Sequence, residues 1–262
     1  MCVLIVAFGE HAEYDLVVAA NRDEFHSRPA APAEVWAEHP HLLAGRDLEA
    51  GGTWLGVDEK GRFAAVTNVR SAHPGAGNRS RGFLVPDFLK QHHLGPLAYA
   101  HSLNPGARDY AGVNLIVADH QGLGNWSNRD ARPTALPAGL YGLSNGALDD
   151  EWPKLTRLKN AYQRVRHLNG EALAAALLEV LRDREQPADA MLPDTGVGLE
   201  RERLLAPIFI DGSSYGTRCS TVVLRRPDGQ MLFVERRYNA DCAVTGESRY
   251  AVDASGIRRL EA

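Results

Sequence analysis

Val3-Leu4-Ile5-Val6-Ala7-Phe8 is an uninterrupted apolar run rich in β-branched residues. That is the pattern of a strand with no wet face. Gly9-Glu10-His11 supplies a turn and residues 14–20 form a second apolar run, so the chain opens with a β-hairpin. Working outward, residues 53–57 and 63–67 flank Asp58-Glu59-Lys60-Gly61 as a second hairpin. The Pro-rich stretch 28–32 reads as irregular loop, and residues 71–82, rich in Gly, Ser, Asn and Arg, as a mobile one. Helices are expected over 83–92 and over 96–103, the second stopped by Asn104-Pro105-Gly106. Residues 113–119 return to strand character, and 140–143 lead into Ser144-Asn145-Gly146. Residues 154–165 predict a helix, and so do 171–184, where Leu173, Ala176, Leu177, Val180 and Leu181 fall on one stripe. Strands follow at 221–226, 231–237 and 248–252, the first two joined across Pro227-Asp228-Gly229. Helices grouped between blocks of strands do not give the alternation of a doubly wound parallel sheet. A first strand buried on both faces fits instead between a helix layer and a second sheet. The expected class is α+β, a four-layer αββα sandwich forming one domain over residues 1–262.

The apolar fraction of 44% and charged fraction of 24% are those of a globular chain and argue against disorder. A formal net charge of -4 gives no reason to expect a nucleic-acid or anionic-membrane partner, and Arg225-Arg226 and Arg236-Arg237 are too short for a basic patch. Three cysteines without CxxC spacing argue against a disulfide framework or structural zinc and for a reducing compartment. Residues 2–8 lack the basic flank and length of a signal segment, and no run approaches a membrane span, so a cytoplasmic location is expected. His39-Pro-His41 and His92-His93 have no partners at metal-ligand spacing, so no metal is expected and these histidines are read as surface residues. Gly75-Ala-Gly77 lacks the continuation of a phosphate-binding fingerprint. No cofactor is required by any motif. Haem remains open as a ligand, since a lone His or Met on a pocket rim leaves no signature.

Cys2 carries the most chemical information. Aminopeptidases remove Met1 when the next side chain is small, which would leave a chain beginning at cysteine. Such a residue unites nucleophile and base: the thiol attacks and the free α-amine, with a pKa of about 7.7–8.0, takes the proton. The competing reading is a small hydrophobe capping a buried strand.

Asn21-Arg22-Asp23-Glu24 is the tetrapeptide that gives the NRDE family, also called the transport and Golgi organisation family, its name. The chain resembles that family in further blocks that keep its order. They are Met1-Cys2, residues 20–25 with Arg28-Pro29, residues 51–56, residues 65–68, residues 141–145 with Trp152 and Lys154, residues 215–218 with Thr221, and residues 233–236. The family is in turn similar to cysteine N-terminal-nucleophile (Ntn) hydrolases of the bile-salt hydrolase and penicillin V acylase type. That resemblance implies an Ntn-like fold and places Cys2 as nucleophile. It places Asp23 where an aspartate orients the nucleophile's amine, and Asn68 and Asn145 where asparagines handle the oxyanion and the substrate amide. One departure is plain: those hydrolases carry an arginine three residues before the aspartate, and this chain has Ala20. Strand alternation puts Asn21 and Asp23 on one face and Arg22 and Glu24 on the other, so Arg22 does not replace the missing arginine in place.

Asn21, Arg22, Glu24, Trp54, Arg70 and Arg218 complete the expected substrate-binding set. Each has a second reading. Arg22 and Glu24 form either an anion clamp or a surface ion pair. Asn68 and Asn145 are oxyanion donors or turn residues. Trp54 is pocket wall or core, and Arg218 contacts a ligand or caps a sheet edge. Apolar walls at Phe25 and Trp54 with arginine partners suit an amphipathic ligand with an acidic end: an acyl-CoA, an acyl amide or haem. The resemblance thus implies either a cysteine Ntn hydrolase, amidohydrolase or thioesterase, or a non-catalytic carrier using the same cleft for haem trafficking or acyl-CoA.

Overall fold

A computed structural model describes residues 2–73, 75 and 77–261. Two seven-stranded, wholly antiparallel sheets lie face to face with helices on both outer surfaces. The first sheet contains β1 (Cys2–Phe8), β2 (Leu16–Phe25), β10 (Gly139–Leu143), β11 (Tyr215–Arg225), β12 (Met231–Tyr238), β13 (Val244–Asp253) and β14 (Gly256–Arg259). Their order is β10-β1-β2-β11-β12-β13-β14. The second sheet runs strictly in chain order: β3 (Ala30–Trp36), β4 (His39–Asp47), β5 (Leu55–Asp58), β6 (Phe63–Asn68), β7 (Val113–Asp119), β8 (Gly122–Ser127) and β9 (Thr134–Leu136).

The opening strand behaves as its composition requires. Leu4 and Val6 face the core between the sheets, while Val3, Ile5 and Ala7 pack under α3 (Pro153–Val165) and α4 (Gly170–Val180). The same alternation runs through β2, where Leu16, Val18 and Ala20 face the second sheet and Val17 and Ala19 face the helices. On the far side, α1 (Leu84–Lys90) and α2 (Pro96–Ser102) cover the second sheet through Leu84, Phe88, Leu89 and Tyr99. The expected four-layer αββα architecture is the observed one.

Several local expectations change. The stretch read as a proline-rich loop becomes β3 from Ala30 onward; Pro32 is tolerated because β3 is an edge strand, where a missing amide costs no ladder bond. Strands β4, β8, β9 and β14 and the short helix α5 (Leu199–Leu204) carry too little periodicity to be anticipated. Helix α4 ends at Val180, and its buried face adds Ala174 and Leu178 to Leu173 and Leu177, leaving Ala176 and Val180 partly exposed. Of the stretch 71–82, Pro74 and Ala76 lie outside the described residues, and with Ala76 part of the Gly75-Ala-Gly77 reading. Arg79 makes a parallel bridge to Tyr110.

The two sheets are pinned at one end by Arg225, whose side chain is 2% exposed. Its Nε and Nη2 meet the Asp15 carboxylate at 2.9 and 2.8 Å. Nη1 donates to the Gly61 carbonyl at 2.7 Å, and Nη2 donates also to the Asp119 carbonyl at 3.1 Å. Gly61 belongs to the β5–β6 turn and Asp119 ends β7, so one guanidinium bridges both sheets.

Candidate active site

At the opposite end of the sandwich, Cys2, Arg22, Asp23, Glu24, Trp54 and Asn68 line one cleft of about 150 Å³. Register explains the assembly. Cys2 begins β1 opposite Arg22 of β2, and Arg22 is opposite Cys219 of β11. Cys2 and Arg22 therefore continue the Leu4 and Ala20 rows, which face the second sheet.

Arg22 is buried, at 6% exposure, and is no surface pair with Glu24. Its guanidinium lies 4.3 Å from the centroid of the Trp54 ring, and Nη2 meets Asp47 at 3.3 Å. Arg28 binds the same Asp47 oxygen at 2.7 Å. Glu24 instead accepts the Phe25 amide at 2.9 Å. Trp54 fulfils both readings: it packs on the inter-sheet core and walls the cleft. A Cβ on Gly45 would come within 2.4 Å of its ring, so glycine there lets the indole lie flat under Arg22. The opposite wall is two backbones in contact: Thr53 donates to the Gly82 carbonyl at 2.9 Å, and a Cβ on Gly52 would strike that carbonyl carbon at 2.4 Å. Only glycine permits so close an approach.

Asp23 sits on the helix side of β2, buried, accepting a hydrogen bond from Thr217 Oγ1 at 2.7 Å. Burial pushes its carboxyl above the ordinary range, opposed by the charges of Lys154 and Arg70 and by the Thr217 bond. Lys154 is buried too, donating to the Leu205 carbonyl at 2.9 Å. Burial lowers its ammonium from 10.5 to about 8, although Asp23 pulls it back up. Between about pH 8 and 10.5 the unfolded chain therefore holds a proton that the folded chain has released, and stability due to this site rises with pH. Urea unfolding across that window should show wild type gaining on Lys154→Met; a constant gap would refute the shift. Burial also pushes the Cys2 thiol up, with nearby Arg22 opposing, so the thiol is protonated at neutral pH.

Asn145 stands one layer behind. It is fully buried, its side-chain amide donates to the Asn68 carbonyl at 2.8 Å, and its own carbonyl accepts the Arg70 amide at 2.7 Å. Ser144 Oγ donates to the Cys2 carbonyl at 2.9 Å, fixing the start of β1. Three expected ligand contacts lie elsewhere. Asn21 faces the helix layer, donating to the Leu181 and Ile208 carbonyls and accepting from Ser220. Arg70 pairs with the buried Glu202 at 2.5 Å and stacks on Trp152. Arg218 caps the chain at the Phe25 and Arg28 carbonyls, 2.8 and 3.1 Å away.

Arg81 also lines the cleft, and a lone arginine in a glycine-rich loop carries no sequence pattern to betray it. Lys154 and Thr217 fall within the family-like blocks, which by themselves give neither residue a role. Away from the cleft, His39, His41 and His92 gather beside Asp58, with His92 Nδ1 at 3.4 Å from its carboxylate. Among the described residues no group of three His, Cys, Asp or Glu is arranged to hold a metal, and no helix is long and apolar enough to cross a membrane.

The sequence profile described as Transport and Golgi organisation 2 matches residues 1–240. The chain is 36% identical over 260 residues to a Transport and Golgi organization protein 2 homolog of Bos taurus, covering 90% of this chain and 92% of that one. Among solved structures, a Caenorhabditis elegans ortholog of N-acylethanolamine-hydrolyzing acid amidase is similar at 14% identity. It has a TM-score of 0.49 and covers 86% of this chain and 93% of its own. The C2A mutant of a conjugated bile acid hydrolase from Clostridium perfringens gives 8% identity and a TM-score of 0.47, covering 100% and 97%. Likenesses this distant add nothing to the topology described above.

Proposed function

The chain belongs to the Transport and Golgi organisation 2 family, and from that premise and the Cys2 cleft we propose that it is a cysteine-dependent acyl hydrolase. Its substrate is an amide or thioester of an amphipathic, acidic small molecule, acyl-CoA-like or lipid-like. The observation that carries the reading is the meeting of Cys2 with Asp23, Asn68 and three arginines in one cleft.

The step requires that Cys2 become the first residue. Its Sγ then attacks the acyl carbonyl, forming an S–C bond, while the thiol proton passes to the Cys2 amine. That proton leaves with the departing amine or thiol as the old acyl bond breaks. Water hydrolyses the thioester to a carboxylate and restores the thiol. A thiol kept protonated by burial needs such a base at hand, and Asp23, held by Thr217, supplies the counter-charge for the protonated amine. Asn68 is the donor facing the oxyanion, and Asn145 fixes its backbone.

A second reading, a carrier for haem or acyl-CoA in the same cleft, draws support from that same protonated thiol, which is unreactive until deprotonated. Intact mass of the native protein and peptide mapping after treatment with an activated acyl ester separate the two. The hydrolase reading expects loss of Met1 and an acyl adduct on Cys2. An adduct on Cys219 or Cys242 alone, both buried, would leave only the carrier.

A further inference from the structure

Beside the Cys2 cleft lies a larger hollow of about 500 Å³, and the two share Glu24, Asn68 and Arg81. The hollow brings Phe25, Val69, Val197, Leu204 and Leu205 together beside the charged Glu24, Arg70, Arg81 and Arg201, a more apolar lining than that of the cleft. Phe25 is 55% exposed, its ring edge-on to Tyr215 at 5.1 Å; Leu204, 39% exposed, and Val197 face it. Bare apolar surface gathered in a concavity costs free energy in water and marks a place for an apolar ligand. Of the charged residues that line it, Arg70 is spent on Glu202.

Arg81 stands at the junction and is different. Arg22 and Arg28 share Asp47, but among the described residues Arg81 makes no ion pair, and its one side-chain hydrogen bond is Nη1 to the Gly112 carbonyl at 3.2 Å. It is half-buried, and desolvation lowers its guanidinium from its ordinary value. A half-buried cation with four donors unspent, placed between a nucleophile and an apolar hollow, has a site for an anion.

We propose that the hollow holds an aliphatic acyl chain and that Arg81 binds the carboxylate which hydrolysis leaves at its end. This rests on the hydrolase reading for the origin of the ligand, and it narrows the substrate class to compounds carrying a fatty acyl group. The chain lies along Phe25, Leu204 and Val197, its carbonyl at the junction, and the leaving group in the charged cleft under Trp54.

The test is binding of cis-parinaric acid, a fluorescent fatty acid, which requires no reaction at Cys2. Wild type and Cys2→Ala should bind it alike. Leu204→Trp, filling the hollow from a half-exposed position, and Phe25→Asp, placing a charge in its wall, should each weaken binding by at least about tenfold. Arg81→Gln should weaken binding of the acid but leave its methyl ester unchanged, and Arg201→Gln on the outer rim should alter neither. Binding unaffected by both wall variants would overturn the hollow. A loss with Arg201→Gln in place of Arg81→Gln would overturn the orientation. If Cys2 proves unreactive while these binding effects hold, the hydrolase reading fails and the assignment of the hollow stands.

Discussion

Cys2→Ala is expected to lower acyl hydrolysis by on the order of 10⁴–10⁶ in kcat, while ligand affinity changes little. Both halves follow from the cleft. Cys2 is the thiol at its edge, and the other two cysteines are buried within the fold, so no neighbouring sulfur can substitute. Affinity has other sources: the apolar walls, the Trp54 ring under Arg22 and the free donors of Arg81. Alanine opens a small space without disturbing them. Cys2→Ser, keeping the shape and the proton, should fall nearly as far, because an alkoxide is harder to form than a thiolate. Turnover of an acyl thioester and calorimetric affinity, measured on the same preparations, decide the point. Residual turnover near wild type in Cys2→Ala would end the hydrolase reading. Tight haem binding that vanished with the same substitution would point to iron ligation by the thiolate and to a carrier.

Arg225→Met is expected to destabilise the fold by about 3 kcal/mol, the lower end of the 3–5 kcal/mol typical of removing one partner from a buried ion pair. The lower end applies because Asp15 is 27% exposed and recovers water when its partner leaves. Most of the loss comes from the Gly61 and Asp119 carbonyls, which are left without that donor between the sheets. Urea unfolding should show a lower midpoint at unchanged slope, and the thermal midpoint should fall by roughly 6–12 °C. Because Arg225 lies at the far end from Cys2, acyl turnover below the transition should be unaffected. A variant as stable as wild type would mean that the guanidinium contributes no more than methionine packing.

Legibility in the sequence tracks the range of the interaction that decides each feature. β1, β2 and the β5–β6 and β11–β12 hairpins show plainly, because an apolar run or a turn residue such as Gly61, at φ +80, is local information. β3 is obscured by prolines that only its place at a sheet edge makes harmless. The same division holds in the site. Alternation along β2 correctly separates Arg22 from Asp23. It cannot say that Asn21 is consumed by carbonyls 160 and 187 residues away, or Arg70 by a carboxylate 132 residues on. An arginine's availability is a property of its remote neighbours: Arg70 and Arg218 are spent, and Arg81 is left over.

The unequal wiring of the two sheets sets the order in which this chain can fold. Every strand of the second sheet bonds to its immediate successor, and its connections are short except the one from β6 to β7, which carries α1 and α2. In the first sheet Leu4 must wait for Leu143 and Arg22 for Cys219. Closing loops of that length is entropically costly and slow. The β1–β2 hairpin, made before either of its flanking strands, is thus among the last parts of the fold to acquire both its neighbours. Its β1 edge stands bare until β10 is made and its β2 edge until β11 is made, the condition that invites aggregation and chaperone capture. A chain cut short after β9 would contain the complete second sheet, and its opening hairpin would still lack both flanking strands.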